Sequence, residues 1–359
     1  MKAAVCRKFG DPLQIEDVAI ASPGPGEVLV KLAACAICHS DIIFMDGGWG
    51  GDLPAVYGHE AAGIVESVGD GVESMTPGDH VVVTLIRSCG HCHYCSQGAS
   101  VACETTFHLD QQSPLSTANG DVLKHGLRTG GFAEYVVVHD SQAVAIDRSV
   151  ALDSASLLAC GVLTGFGAVV NTAAVETGSS VVVIGTGGVG LNSVQGARIS
   201  GAATIIAIDV SADKLKAAQE FGATHAINAS DADIVSQVRA LTGGRGADYV
   251  FVTVGSIVAI NSAYALMGST GAVVLVGMPE NGVMSEFEPG NIADQSQRIL
   301  GSKMGSGRVQ IDIPYLVTLY QQGRLKLDEL ISGRYPLEDI NEAIASARRG
   351  EALRNVIVF

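Results

Sequence analysis

Four apolar residues, Val181–Ile184, run straight into Gly185-Thr186-Gly187-Gly188-Val189-Gly190, and a helix-like segment, LNSVQGARISGA, follows at once. A glycine pattern of this kind tolerates little besides a strand before it and a helix after it. Gly185 allows the tight turn, Gly187 lets the backbone approach a pyrophosphate, and Gly190 lets helix pack close to strand. Gly188 and Val189 open the helix, whose N-terminus adds N–H donors and the positive end of its dipole. A second strand-like run, ATIIAID, ends in Asp209, near the acidic position expected roughly 20 residues on. A carboxylate there accepts both adenine-ribose hydroxyls and repels a 2′-phosphate. Val210 and Ser211 supply no Arg to hold such a phosphate, so the pattern predicts NAD rather than NADP. The blander reading, a tight turn with Asp209 as a helix cap, does not account for the context.

That context is an alternation. SSVVVIG, ATIIAID, HAINA, ADYVFVTVG and GAVVLVG are short apolar runs, separated by amphipathic stretches such as 211–221, 232–241 and 257–267. Strand alternating with helix predicts a parallel sheet covered on both faces. Before residue 150 the chain reads differently. β-branched runs at 28–32, 63–68 and 80–84 are separated by the turn signals SPGPGE, VGDGV and TPGD. Residues 109–130 read as one extended loop. From about residue 303 the alternation stops, and helices near 313–322 and 337–348 with a strand at 355–359 are expected to pack back on the first domain. A chain of 359 residues is long enough for two such domains.

The net charge of −15 argues against nucleic acid as a partner, since phosphate binding needs clustered Lys and Arg. No apolar run approaches the roughly 20 residues of a membrane span. The opening residues carry charges and lack an apolar h-region, so export is not expected and a cytoplasmic location is. Eight Cys in such a chain point to metal or catalysis rather than disulfides.

Cys89, Cys92, Cys95 and Cys103 fall within fifteen residues of a Gly-containing loop, and four thiolates so placed can close a tetrahedral shell around structural zinc. A catalytic zinc takes three protein ligands and keeps a fourth position open. Cys38, His59 and Cys160 can supply three, though spacing alone does not bring them together. Taken singly, His59 reads as a core histidine and Cys160 as a small buried hydrophobe. Cys35-Ala36-Ile37-Cys38-His39 also fits the C-x-x-C-H pattern of haem attachment, which requires export.

Taken together, CHSD (38–41), GHE (58–60), the cysteine quartet, CGVLTG (160–165), GTGGVG (185–190) and the ending LRNVIVF resemble the zinc-dependent medium-chain alcohol dehydrogenases over essentially the full chain. The resemblance implies an α/β protein: a GroES-like, β-rich catalytic domain (1–161) with a structural-zinc lobe at about 87–105, and a doubly wound Rossmann NAD domain (162–302). Residues 303–359 would return to the first domain, and the active site would lie in the cleft between the two. It implies an enzyme that interconverts an alcohol and its aldehyde or ketone by hydride transfer to NAD, with two zinc ions per chain. Cys38, His59 and Cys160 become the catalytic-zinc ligands, with Glu60 behind the metal, Asp41 orienting His59, and Ser40 receiving the substrate proton. Thr164, Val189 and Val276 match nicotinamide-lining positions, Asp209 and Lys214 ribose contacts, and His39 and Arg354 residues near the pyrophosphate. Cys35 is then a bystander, and haem is set aside.

Trp49, Leu85, Phe132 and Met278 match substrate-facing positions, which suggests an apolar cleft for primary alcohols with aromatic, allylic or medium aliphatic tails. Trp49 can instead be a surface residue covering the domain edge. Many members end their proton relay in a His where this chain has Ile43. The formaldehyde branch, acting on S-hydroxymethyl-thiol adducts, would need cations at the cleft mouth. Arg87, Lys124, His125 and Arg128 are candidates, or else solvated loop charges. A non-catalytic NAD-binding protein would have no need of an open zinc site. Family members pair through Rossmann edges, so a homodimer or a dimer of dimers is expected, with loop 109–130 favouring the dimer.

Overall fold

The computed structural model describes all 359 residues, which divide into two compact units, Met1–Gly161 with Arg308–Phe359 and Val162–Gly307. The tail thus joins the first unit from residue 308, whereas the alternation pattern alone starts it at 303. Residues 303–307 stay with the second unit because the turn Met304–Ser306 packs against Gly167, where a Cβ would sit 2.5 Å from the Gly305 carbonyl oxygen. Thr172 adds hydroxyl hydrogen bonds to Ser302 and Ser306 at 2.9 and 2.8 Å.

The second unit is a six-stranded parallel sheet in the order His225–Asn228, Thr204–Asp209, Ser180–Ile184, Ala247–Val252, Met267–Leu275, Arg298–Gly301. Every residue of Ser180–Ile184 is buried, as a central strand covered on both faces requires. The chain order 3-2-1-4-5-6 is that of a doubly wound dinucleotide fold, and its reversal point lies at the carboxyl end of Ser180–Ile184.

The first unit holds two β-structures. Lys2–Cys6, Gln14–Ile20, Leu115–Thr117, Val122–His125 and Ala55–Val56 close a small barrel, while Glu27–Ala36 lies at the heart of a seven-stranded sheet. The tail strand Arg354–Val358 pairs antiparallel with Glu27–Ala36, and Val309–Gln321 and Ile340–Arg348 are helices. The expectation of a loop over 109–130 is corrected: strands 115–117 and 122–125 lie inside it and complete the barrel. Each is only three or four residues long and rich in Ser, Thr, Lys and His, so no period-2 pattern betrays it.

His125 shows the cost of that closure. It sits in register with Val56, its Nε2 donates to the Thr129 carbonyl at 2.6 Å, and its buried Nδ1 has no partner. Burial, reinforced by the Arg87 charge, pushes its pKa down from 6.5 to about 4. The native state therefore binds fewer protons here than the unfolded chain between those two values, and stability falls as pH drops from 6.5 towards 4. The partly open ring discounts the full linkage energy to about 2 kcal/mol. Replacing His125→Gln should remove that share of the acid sensitivity. Urea unfolding of both proteins from pH 4 to 7 checks it, and parallel stability–pH curves would refute it.

Candidate active site

Asp41 organises the first candidate centre. It is the third residue of the helix His39–Asp46, and its Oδ2 accepts from the backbone N–H of Cys38, the N-cap, at 3.0 Å. Its Oδ1 accepts from the Gly58 N–H at 3.0 Å and from Nδ1 of His59 at 2.9 Å. One fully buried carboxylate therefore fixes Cys38 and His59 together, and it also fixes the His59 tautomer by taking the Nδ1 proton. Gly58 is required there, since its φ is +92° and a Cβ would lie 2.6 Å from the Phe132 nitrogen.

Cys160 arrives from the break between the short helix Leu157–Ala159 and the helix starting at Gly161, anchored by Thr84 Oγ1 donating to the Ala159 carbonyl at 2.7 Å. The ligand atoms of Cys38, His59, Glu60 and Cys160 all lie within 4.8 Å of one another, and all four residues are buried. Nε2 of His59 is sealed from water without a hydrogen-bond partner. Two thiols, an orphaned imidazole nitrogen and a carboxylate form a donor set that suits zinc.

The electrostatics agree. A hydrogen bond from Cys160 holds the Cys38 thiol well below its ordinary pKa, and Cys160 is raised in return. Burial opposes charging of His59, but Asp41 and Cys38 outweigh it and raise its pKa. Burial lifts Glu60 to about 8 against the pull of Arg354.

Arg354 lies behind the ligand set, against Glu60. It is 6% exposed, its Nη1 lies 3.2 Å from Glu60 Oε1, and it donates to the Ile37 carbonyl at 3.2 Å. Strand 354–358 thus carries the guanidinium beside Glu60, and its buried Nη2 has no hydrogen-bond partner. Gly161 makes room for it: a Cβ there would meet Nη2 at 1.7 Å.

Ser40 is half-buried with its Oγ 3.7 Å from Cys38 Sγ, while His39 is exposed. Trp49 is half-buried, edge-on to Phe44 at 5.2 Å, and Phe44 in turn stacks on Tyr57 at 6.1 Å. Leu85 is half-buried and Met278 is 59% exposed. Phe132 is corrected from a pocket wall to a core residue. It is 0% exposed within the barrel cluster, and its backbone bonds Tyr57 and Ala4.

Of the four candidate cations, Lys124 and Arg128 are exposed loop charges, as the alternative reading had them, whereas Arg87 is buried. Arg87 is 1% exposed and donates to Gln142, Asp110 and the Arg128 carbonyl. Lys124 pairs with Asp52, Arg128 pairs with Asp110, and His125 belongs to the barrel. The Arg87 contacts tie together residues 87, 110, 128 and 142, a role with no signature in the sequence.

In the four-cysteine loop the sulfurs of Cys89, Cys92, Cys95 and Cys103 lie within 4.8 Å of one another. The N–H groups of Cys92 and Cys89 point at Cys89 Sγ and Cys103 Sγ at 3.2 and 3.4 Å, as they would at thiolates holding a cation.

The nucleotide turn lies in the second unit. Gly185 has φ +85°, and a Cβ on Gly190 would fall 1.9 Å from the Gly185 oxygen, so helix Gly188–Ile199 can touch the strand only through glycine. Gly187 caps that helix and faces open space. Asp209 accepts from Thr186 N–H at 2.7 Å and Ser211 N–H at 3.0 Å, and Lys214 lies in the first turn of the next helix. Thr164 and Val276 are buried, and Thr164 Oγ1 donates to Met304 Sδ at 3.6 Å.

Two family profiles match the chain: an alcohol dehydrogenase GroES-like domain over residues 24–148 and a zinc-binding dehydrogenase domain over 188–322. The sequence is 38% identical to an NDMA-dependent alcohol dehydrogenase of Amycolatopsis methanolica, over 99% of this chain and 98% of that one. It is 39% identical to a solved alcohol dehydrogenase zinc-binding domain protein from Burkholderia ambifaria, with a TM-score of 0.95 over 100% and 98% of the chains. The benzyl alcohol dehydrogenase of Acinetobacter calcoaceticus is 33% identical, with a TM-score of 0.93 over 100% and 99%.

Replacing Asp41→Asn keeps the size but removes the charge that holds Cys38 and His59. Affinity for zinc at this centre should fall about 10- to 100-fold. Competition with a chromophoric chelator measures it, with the four-cysteine loop as internal control, and an unchanged affinity would refute the orienting role.

Proposed function

The chain belongs to the zinc-dependent medium-chain alcohol dehydrogenases, and from that premise we propose that it oxidises primary alcohols with aromatic, allylic or medium aliphatic tails, passing the hydride to NAD. The observation that carries this reading is the buried convergence of Cys38, His59 and Cys160 around a single point. Zinc bound there would supply Lewis-acid polarisation of the alcohol hydroxyl, lowering its pKa towards neutrality. Ser40, beside Cys38, takes the hydroxyl proton through its Oγ. Asp41 keeps Nε2 of His59 free by occupying Nδ1. Ile43 can carry no proton, so the relay leaves Ser40 without a side chain at that position.

On the cofactor side, the helix N-terminus at Gly188 receives the pyrophosphate, and Asp209 selects the unphosphorylated ribose. Within the second unit, Thr164, Val189 and Val276 line the nicotinamide, and Lys214 lies on the adenosine side. Trp49 and Leu85 make the substrate surface of the first unit apolar. A second, structural zinc in the loop of Cys89, Cys92, Cys95 and Cys103 brings the total to two per chain.

Two copies associate in this reading, as a dimer or a dimer of dimers. It is supported by the unpaired outer edge of Arg298–Gly301 and by the exposed apolar residues Met284 and Phe287. Eight cysteines without a disulfide among them suit a reducing compartment, the cytoplasm.

Absorbance of NADH with ethanol, hexanol, benzyl alcohol, cinnamyl alcohol, a secondary alcohol, and formaldehyde with and without thiol tests the assignment. Turnover of free primary alcohols, abolished by chelation, is expected. Turnover of the thiol adduct alone would overturn the substrate class. Ser40→Ala should lower kcat about 100-fold or more with NAD binding unchanged, and an unaltered rate and pH profile would remove Ser40 from the relay.

A further inference from the structure

The second unit contains a cavity of about 620 Å³ far from its glycine-rich turn. It is lined at the amino ends of strands Ala247–Val252 and Met267–Leu275 and by residues just ahead of Arg298–Gly301. The glycine-rich turn and Asp209 occupy the carboxyl ends of this parallel sheet, where such folds bind their nucleotides. The cavity therefore opens at the opposite edge, and neither the dinucleotide nor the zinc chemistry uses it.

Its chemistry is specific. Arg239 and Arg245 both line it, and neither guanidinium has a carboxylate within 4.0 Å. Arg245 is held on a turn with left-handed glycines on either side, Gly244 at φ +82° and Gly246 at φ +94°. At Gly246 a Cβ would strike the Met267–Gly268 backbone at 2.7 Å, so the turn is pressed onto the neighbouring strand and cannot simply swing away. Gln297 donates its Nε2 to the Gly268 carbonyl at 3.1 Å, while its Oε1 is buried without a partner. Asp248 also lines the wall, but its Oδ2 already accepts from the Ser180 N–H and hydroxyl, both at 2.7 Å.

Two exposed guanidiniums on one cavity wall, neither neutralised by a carboxylate, suit an anionic ligand, whereas Gln297 Oε1 is sealed from the cavity and takes no part. We propose that this cavity binds a small polar ligand that carries an oxyanion, a carboxylate or phosphate, for Arg239 and Arg245. Guanidinium forks match both oxyanions bidentately. The volume lies within the roughly 300–1,000 Å³ of ordinary small-molecule sites.

Calorimetry on the zinc-loaded protein with saturating NAD tests this, so that the nucleotide turn is already filled. The probes are inorganic phosphate, glucose 6-phosphate and citrate, each against chloride at equal ionic strength. At least one should bind once per chain, and a response to phosphates alone or to citrate alone identifies the oxyanion. Arg239→Ala with Arg245→Ala should weaken binding about tenfold or more per guanidinium. Arg239→Lys with Arg245→Lys should recover part of it, and alcohol turnover should stay unchanged in both. Absence of binding by all three probes, or equal binding in the double-alanine protein, would overturn the proposal. Alcohol turnover is a separate readout, so failure here and failure of the dehydrogenase assignment are distinguishable.

Discussion

Everything at the metal-ligand centre depends on one buried carboxylate. Asp41 is 0% exposed, yet it has no cationic partner of the usual kind and is satisfied by two backbone N–H groups and an imidazole. A buried charge is tolerated only when hydrogen bonds replace its lost water. That requirement works in both directions: the carboxylate needs Cys38, Gly58 and His59 where they are, and they are held there by it. The helix start and the turn before Glu60–Val68 are locked together as a result. Phe132 sets the tolerance of the lock, because it leaves room at Gly58 for glycine alone.

The nucleotide turn rests on a different constraint, steric rather than electrostatic. Gly190 lies against the Gly185 oxygen and Gly165 against the Val189 oxygen, where a Cβ would approach to 1.9 and 2.1 Å. The helix is brought down on strand and neighbouring helix until only hydrogen atoms fit. Its N-terminus then meets open space at Gly187, where a phosphate can reach the backbone.

Which parts were legible in the sequence follows from these physics. The parallel sheet was readable because its strands are buried on both faces and leave continuous apolar runs. The glycines and the thiols were readable because few other residues perform those tasks. Strands 115–117 and 122–125 were not, since short polar barrel strands share the composition of loops. Phe132 was misplaced, and the protein partners of Arg354 were not foreseen, for a common reason. A sequence position fixes which strand carries a side chain, but its burial is decided by what packs on that strand from afar: Tyr57 and Ala4 for Phe132, Glu60 and Ile37 for Arg354. Arg87 is a third instance, an apparent surface charge whose partners lie 23 to 55 positions away.

Charge balance at the centre carries the argument one step further. Cys38, Cys160, Glu60 and Asp41 can hold four negative charges in a volume sealed from water, against the single permanent positive charge of Arg354. Such an excess cannot persist in a low-dielectric interior. Either protons or a cation must relieve it. Protons would have to settle on His59, Glu60 and Cys160, the groups pushed upward, Glu60 to about 8. A divalent cation would relieve two charges at once and also occupy the orphaned His59 Nε2, which a proton on Glu60 or Cys160 would leave unpaired. Metal affinity and folding stability of this unit are then linked through the same residues, and metal uptake near neutral pH must release protons. Arg354 has a definite place in that balance: it keeps Glu60 ionisable beneath the thiols, which the carboxylate could not be if burial acted on it alone.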